Sequence, residues 1–395
     1  MTAPRLHRLR QVARDALRCL RLRAALRLHR LLYLGTRRRP RGDTVEVGIF
    51  RRGGIGDWAL FVPTLAYYAA LFPAPRHRIT VYGDQRFAAF TFLSSIPYTL
   101  VAIDQARWRG SLRARRALLR AVRAHGFDVW IDTDVSRNKV GLLLADAACA
   151  PQRYTLGADA VDRCPGAALL AAHFDAIAPA PAVHEHEGAR LQRLAHFVAA
   201  ARHAAVAPLP LPLPLPRFEP PATQRYAVLF CGASVPAKAW PLPRYAEVAR
   251  HLHARHGLIP VLLGDDASPG LDALLGGTPC IDLRRRTDAH ALLGWLAHAQ
   301  LTVSNDSAAV HLAALLDRPV LIVAPGAAHA RYCRYPNGRV HVVHCADTHC
   351  FDCEGRCRYP AAAGGLFPCL DAVGAHAVNA AADALLGAPD APGHA

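Results

Sequence analysis

Lysine is nearly missing from this chain. Of its 47 basic residues only Lys139 and Lys238 are lysines, and the other 45 are arginines. Methionine occurs once. With so much Ala, Arg and Pro, the pattern reads as coding bias, and a lysine that persists within it marks a position of interest. No run of 18 or more apolar residues is present, which excludes a membrane-spanning helix by the usual length criterion. A signal peptide needs a continuous apolar core, and here Arg interrupts the N-terminal segment every few residues. The expected location is therefore the cytoplasm. In that compartment the 11 cysteines read as free thiols or metal ligands before disulfides. Aromatics make up 7% of the chain, and Tyr33 alone accompanies the basic N-terminal residues. Nucleic-acid binding would gain from aromatics interleaved with the basic residues, so no nucleic-acid partner is expected.

What is present is substantial. The 395 residues, 52% of them hydrophobic, can fill the cores of two domains. The net charge of +17 is unevenly placed: residues 1–43 hold thirteen Arg against Asp15 and Asp43, giving +11, which leaves +6 for the remainder. Residues 5–34 have helical period, with Leu9, Val12, Ala13, Ala16, Leu17, Leu20, Ala24, Leu28 and Leu31 on one stripe and Arg10, Arg14, Arg18 and Arg21 opposite. A basic amphipathic helix of this kind suits an anionic membrane surface. The same pattern also suits a helix docked on the protein body.

From residue 44 onward apolar runs alternate with helical stretches. VEVGIF, RITVYG and FDVWIDT read as strands, and 57–72, 111–125 and 186–202 as helices. PLPLPLPLPRFEPP (208–221) forbids helix and reads as a stiff extended linker. The alternation then restarts with the strands YAVLFCG, IPVLLGD, LTVSND and RPVLIVAPG, and the helices LPRYAEVARHLHARHG, AHALLGWLAHA and AAVHLAALLD. Such alternation predicts parallel sheets with crossover helices. The expected organisation is an N-terminal extension over 1–43, a Rossmann-like domain over 44–205, a linker over 206–222, a second Rossmann-like domain over 223–375, and a C-terminal helix and tail over 376–395.

Ligands in doubly wound sheets bind beyond the carboxyl ends of the strands. Three strand ends carry polar or small residues there. RRGGIGDW (51–58) has the glycines of a phosphate loop, yet it lacks the following Lys-Ser/Thr and the third Gly of dinucleotide spacing. Its glycines instead leave room for a ligand near the backbone and present Asp57. CGASVPAKAW (231–240) puts Lys238 in a loop after a strand, where an ammonium can neutralise a departing phosphate. In SNDSAAVHLAALLD (304–317), Asn305, Asp306 and Ser307 precede a helix they can cap, and its free N–H groups favour an anion.

Taken together and in this order, GGIGDWALFVPTLAYYAALFP, GASVPAKAWPLPRYAEVA and SNDSAAVHLAA resemble the glycosyltransferases of family 9, the ADP-heptose:lipopolysaccharide heptosyltransferases and their relatives, over about residues 45–375. The resemblance implies an α/β GT-B fold of two facing Rossmann-like domains, with acceptor on the first and nucleotide sugar on the second. It implies inverting transfer that requires no cofactor or metal, from a nucleotide sugar such as ADP-heptose to a glycolipid or surface-glycan acceptor. By position, Asp57 becomes the general base and Lys238 the partner of the donor diphosphate. Gly232, Ser234, Asp306, Ser307, Ala308 and His311 line the donor site. Gly53, Gly54, Gly56, Arg86, Arg137 and Lys139 fall on the acceptor side. Ala308 stands where the family usually has Gly, which leaves a non-catalytic binding or scaffold protein as an alternative. A protein acceptor is another.

Three weaker signals remain. Asp132-Thr133-Asp134 has the spacing of a metal-binding DxD but ends a strand of the first domain. HEHEG (184–188) lacks the His pair of HExxH and opens a helix. Cys350, Cys353, Cys357 and Cys369, spaced C-x2-C-x3-C-x11-C, are candidate ligands for a structural zinc or iron.

Overall fold

The computed structural model describes the chain apart from residues 1–2, 135–138, 158–166, 183, 205–216, 220, 222, 234, 266–269, 328, 336–337, 346–352, 354–356, 358 and 388–395. The side chains of residues 3–16, 18, 139, 167–168 and 271–272 are likewise outside the description. Arg137, Ser234, Cys350, the side chain of Lys139 and most of the Pro-rich linker thus lie outside the described residues. The chain divides into two compact units. One comprises residues 1–54 and 61–209, the other residues 55–60 and 210–395.

The first unit holds strands β1 (Val45–Arg51), β2 (His77–Asp84), β3 (Thr99–Ile103), β4 (Val129–Asp132), β5 (Gln152–Leu156) and β6 (Ala176–Ala178). Its helices are α1 (Ala3–Tyr33), α2 (Ile55–Leu71, whose first turn groups with the second unit), α3 (Gln105–Gly110), α4 (Leu112–His125), α5 (Lys139–Ala148), α6 (Ala167–Ala171) and α7 (Glu187–Ala201). The second unit holds β7 (Tyr226–Cys231), β8 (Ile259–Gly264), β9 (Ile281–Asp282), β10 (Leu301–Asn305), β11 (Val320–Val323) and β12 (Val340–Val343). Its helices are α8 (Leu242–His256), α9 (Leu271–Leu275), α10 (Ala289–His298), α11 (Ala308–Leu315), α12 (His329–Tyr332), α13 (Pro368–Asp371) and α14 (Ala375–Gly387).

Each sheet is parallel throughout, in the orders β3-β2-β1-β4-β5-β6 and β12-β11-β10-β7-β8-β9. Renumbered within its own unit, the second order is the first read backwards, so both are doubly wound sheets of the Rossmann type. Burial of both faces explains why the central strands read as unbroken apolar runs rather than alternating ones. Strand order reverses between β1 and β4 in one unit and between β7 and β10 in the other. The loops after β1, β7 and β10 are the three singled out from the sequence.

Helix α1 packs against α4 and α5 through Leu22, Leu26, His29, Leu32 and Tyr33, a face other than the leucine stripe read from the sequence. Arg30 grips Asp146 of α5 with two hydrogen bonds of 2.8 and 2.7 Å, and the Tyr33 hydroxyl donates to the same carboxylate at 2.5 Å. Burial works against the Asp146 charge, yet these two donors hold its carboxyl below the usual range. Leu17, Leu20, Leu28, Leu31 and Leu34 stay outward, 49 to 72% exposed.

Glu187, the second Glu of HEHEG, is fully buried and pairs with buried Arg51 at the end of β1, 2.9 Å away. Arg51 also donates to the Thr133 carbonyl at the end of β4. His186 caps α7 by accepting from the Gly188 N–H. This stretch therefore opens a helix, as expected, and one of its glutamates is spent on an ion pair that ties α7 to the sheet.

Gly264 closes β8 at φ +106°, and a Cβ there would approach the Cys231 carbonyl oxygen to under 3.0 Å. Gly257 ends α8 in the ordinary left-handed region at φ +64° with open space around it. Gly257→Ala should therefore cost about 1 kcal/mol. Gly264→Ala, which must also move backbone, should cost more than twice that. Urea unfolding of the two variants beside wild type checks the ranking, and equal losses would contradict it.

Candidate active site

The site of the second unit is built on Asn305, the last residue of β10, whose side chain is fully buried. Its Oδ1 accepts from the Trp240 N–H at 3.0 Å and from the Tyr245 hydroxyl at 2.9 Å. Its Nδ2 donates to the Gly232 carbonyl at 2.7 Å. The Tyr245 oxygen in turn accepts the Asn305 backbone N–H at 3.0 Å. One carboxamide thus joins the end of β10 to the turn after β7, to the loop carrying Lys238, and to α8. Gly232 makes that turn at φ +89°, a conformation open to glycine and unfavourable for other residues. Trp240 is pinned at its other end by its indole N–H on the Val373 carbonyl, 2.9 Å away.

Beyond Asn305 the chain turns into α11. Ser307 is the N-cap: its hydroxyl accepts from the Ala309 N–H at 3.3 Å and exchanges a 2.7 Å hydrogen bond with Ser304. The sequence reading offered Asn305, Asp306 and Ser307 as caps; Ser307 alone takes that role, which releases the other two. Asp306 accepts a 2.6 Å hydrogen bond from the Lys238 ammonium. Burial opposes the Lys238 charge, but the Asp306 carboxylate outweighs it and raises the Lys238 pKa above its ordinary value, with smaller contributions from Cys333 and Asp57. Lys238 is therefore a full cation at any pH near neutrality.

His311, one turn into α11 and buried, closes the group. Its Nδ1 lies 2.5 Å from the Tyr335 hydroxyl, and its Nε2 lies 3.9 Å from Asp306 Oδ1. Burial, aided by Cys333 and Asp306, pushes the Tyr335 hydroxyl well above its ordinary pKa, so it keeps its proton. The first turn of α2 lies against this same helix. A Cβ at Gly56 would stand 2.5 Å from His311 Cδ2 and 3.5 Å from the Ala308 Cα, so only a glycine lets the two segments come this close. Asp57 follows immediately, half-buried, in the first turn of α2.

The structure thus gathers Gly56, Asp57, Lys238, Asp306, Ala308 and His311 within the second unit, with Gly232 and Ser307 shaping the loops that carry them. On the first unit Gly53 and Arg86 meet: the Gly53 carbonyl accepts from the Arg86 guanidinium at 3.3 Å, while Arg86 is braced on Asp84. Gly54 borders open space, and Lys139 opens α5. Asp132 and Asp134 are buried at the end of β4, where Asp132 accepts the Asp134 N–H at 2.9 Å and stands over Gly141 of α5. That DxD is a strand-end turn facing a helix. Tyr335 had no signal in the sequence beyond being aromatic, and Trp240 and Tyr245 appeared there only as part of a motif; their hydrogen bonds give them a role.

The cysteine cluster departs from expectation. Cys353 and Cys357 lie near enough to Cys369 to add to the effect of burial in raising its thiol pKa. Among the described residues, however, their sulfurs do not gather within the 4.8 Å that a shared ion requires, and the Cys369 sulfur accepts the Gly326 N–H. Cys350, the fourth expected ligand, lies outside the described residues.

Two doubly wound units, with a lysine and a helix start directed at one strand-end group, define a glycosyltransferase of the GT-B type. The sequence pattern of Glycosyltransferase family 9 (heptosyltransferase) matches residues 115–351, more than half of the chain, and the chain belongs to that family. No curated protein matches by sequence search. Solved structures share the fold at low identity. The family 9 glycosyl transferase of Veillonella parvula is 18% identical with a TM-score of 0.64, over 88% of this chain and 98% of that one. The E. coli heptosyltransferase WaaC with ADP is 18% identical with a TM-score of 0.62, over 86% and 100%. The dodecameric iron-containing heptosyltransferase TibC with ADP-D-beta-D-heptose is 14% identical with a TM-score of 0.52, over 87% and 76%.

Asn305→Ala leaves the Trp240 N–H and the Gly232 carbonyl buried without their partner. The expected loss is about 3 kcal/mol, against about 1 kcal/mol for removing the cap with Ser307→Ala. Chemical denaturation followed by tryptophan fluorescence measures both, and a loss at Asn305 no larger than that at Ser307 would refute the role given to the carboxamide.

Proposed function

We propose that this glycosyltransferase moves a heptose from ADP-heptose, with inversion, to a lipopolysaccharide-core or related surface-glycan acceptor, and that no metal takes part in the chemical step. The observation that carries the reading is the grouping of one carboxylate, Asp57, with one buried-side ammonium, Lys238, at the N-terminus of α11. Transfer from a glycosyl diphosphate passes through an oxocarbenium-like state. It needs a base for the attacking hydroxyl and positive charge for the departing diphosphate. Asp57 supplies the first. Lys238 and the N–H groups that open α11 supply the second, and Asp306 receives sugar hydroxyls once Lys238 turns to phosphate. Gly53, Gly54, Gly56 and Arg86, with Arg137 and Lys139 from the segment that follows β4, take the acceptor. Solved relatives titled as ADP-heptose enzymes, with ADP and ADP-2-deoxy-2-fluoro heptose bound, support the choice of donor.

The same reading puts the protein on the cytoplasmic face of the inner membrane. No described helix is long and apolar enough to cross a bilayer. Helix α1 instead keeps Leu17, Leu20, Leu28 and Leu31 of its predicted stripe outward among arginines, while a different face holds it to the protein. Its inward contacts leave the outward leucines available to an anionic lipid surface.

A protein acceptor is the second reading. It draws on the likeness to the iron-containing TibC and on the proximity of Cys353 and Cys357 to Cys369. Iron or zinc in the purified protein at one equivalent, lost in a Cys353→Ser variant, would favour it.

Asp57→Asn is expected to lower kcat by about 10²–10⁴-fold while leaving ADP-heptose affinity within a few-fold of wild type. Turnover assays beside calorimetric titration of the donor check this, and near-normal turnover would remove Asp57 as the base. For the membrane arm, Leu20→Asp with Leu28→Asp and Leu31→Asp should abolish co-sedimentation with vesicles containing anionic phosphatidylglycerol and leave soluble turnover intact. Unchanged sedimentation would rule out this face.

A further inference from the structure

A second cluster of ligating side chains lies at the far end of α8. His251 and His256, in the last two turns of that helix, both reach the same carboxylate, Asp383 of α14. Their Nε2 atoms lie 2.8 and 2.6 Å from Asp383 Oδ1. The three ligand atoms all fall within 4.8 Å of one another, and no other such group occurs among the described residues. Counted along α8 at 1.5 Å per residue, the cluster is about 20 Å from the loop that carries Lys238.

We infer that His251, His256 and Asp383 form a binding site for a divalent first-row cation, zinc foremost, which clamps α14 to α8. Two imidazoles and one carboxylate are a zinc-type donor set, and a tetrahedral ion held at about 2.0–2.1 Å keeps its ligands a little over 3 Å apart. The present separations need to open by only about half an ångström. Asp383 Oδ2 makes no hydrogen bond among the described residues, so the carboxylate retains lone pairs for the ion. The two rings, with centroids 6.1 Å apart and edge to face, leave room between them. Helix α8 ends here, with Gly257 as its left-handed cap, so the negative end of its dipole faces a cation. An ion would take the Nε2 lone pairs of both rings once each ring proton sits on Nδ1. The side chains are 17 to 39% exposed, which provides an entry path.

The ion has a structural consequence. Helix α8 contributes Tyr245 to the Asn305 web at its start, and α14 packs along α8 through Val378 and Ala382. A clamp at the other end holds both helices as one layer under the donor site.

The test uses the untagged full-length chain, stripped with a chelator and titrated with Co²⁺. One equivalent should bind with the visible absorption of a nitrogen- and oxygen-ligated ion and without the thiolate charge-transfer band that cysteines add, and Zn²⁺ should displace it. Affinity should fall at least tenfold in His251→Ala and in Asp383→Asn, and stay unchanged in the Cys353→Ser, Cys357→Ser, Cys369→Ser triple variant. Asp383→Asn keeps size and one acceptor, so its melting temperature without metal reports whether it folds. A readout that needs no variant is the Nε2 nitrogen resonance of two histidines in wild type, which should shift on adding Zn²⁺. Binding that is the same in the variants as in wild type, or no visible absorption and no histidine shift in wild type, overturns the site.

Discussion

The hydrogen bonds of Asn305 are the constraint on which the catalytic half of the molecule depends. A parallel sheet delivers its strand ends side by side, but nothing in a strand fixes the loops beyond it. Here one buried carboxamide uses both of its faces: Oδ1 takes Trp240 and Tyr245, and Nδ2 gives to Gly232. It thereby sets the spacing between the turn after β7 and the turn after β10, the two strands between which the sheet order reverses. Lys238 and Asp306 are carried on those two turns. Their 2.6 Å contact follows from the frame more than it creates it, because an ion pair with a quarter of the lysine exposed is worth little on its own.

The same economy governs the approach of α2. Gly56 has no side chain because His311 occupies the space one would need. His311 is held there by Tyr335, a phenol that burial keeps protonated. The motif that looked like a phosphate cradle therefore has its glycines for two other reasons: Gly53 turns the backbone at φ +127°, and Gly56 admits an imidazole. The aspartate that made a poor phosphate host stands beside the ammonium whose charge it supports.

Much of this was legible in the sequence. The strands at and beside the switch points are apolar runs that end in Gly or polar residues, so β1, β2, β4, β7, β8, β10 and β11 announce themselves. The strands passed over are the outer ones and β5. β6 has three residues, β9 two, and β5 begins with Gln152 and Arg153, so none carries a period long enough to read. The orientation of α1 was also hidden. Leucine frequency marked one face, but the packing face is chosen by Asp146 on α5, over a hundred residues away, which recruits Arg30 and Tyr33. Long-range polar partners of this kind, like Arg51 with Glu187 or Asn305 with Trp240, leave no local pattern. Cysteine spacing is local as well, and by itself says nothing of whether the side chains converge.

The scarcity of lysine bears on the chemistry. In a chain that uses arginine for 45 of its 47 basic residues, Lys238, the cation that faces Asp306, is one of the two exceptions. A guanidinium facing Asp306 would form a planar, two-pronged pair that resists release. An ammonium makes a single contact on a flexible stem, and its three donors have no preferred plane. On Asp306 it holds one such contact, which it can exchange for another partner without breaking a second. Arg30 on Asp146 and Arg153 on Asp175 display the alternative, each doubly bonded to its carboxylate in a static structural role. Where the pair must hold, the chain uses arginine. Beside Asp306, where the pair is a single exchangeable contact, it keeps Lys238.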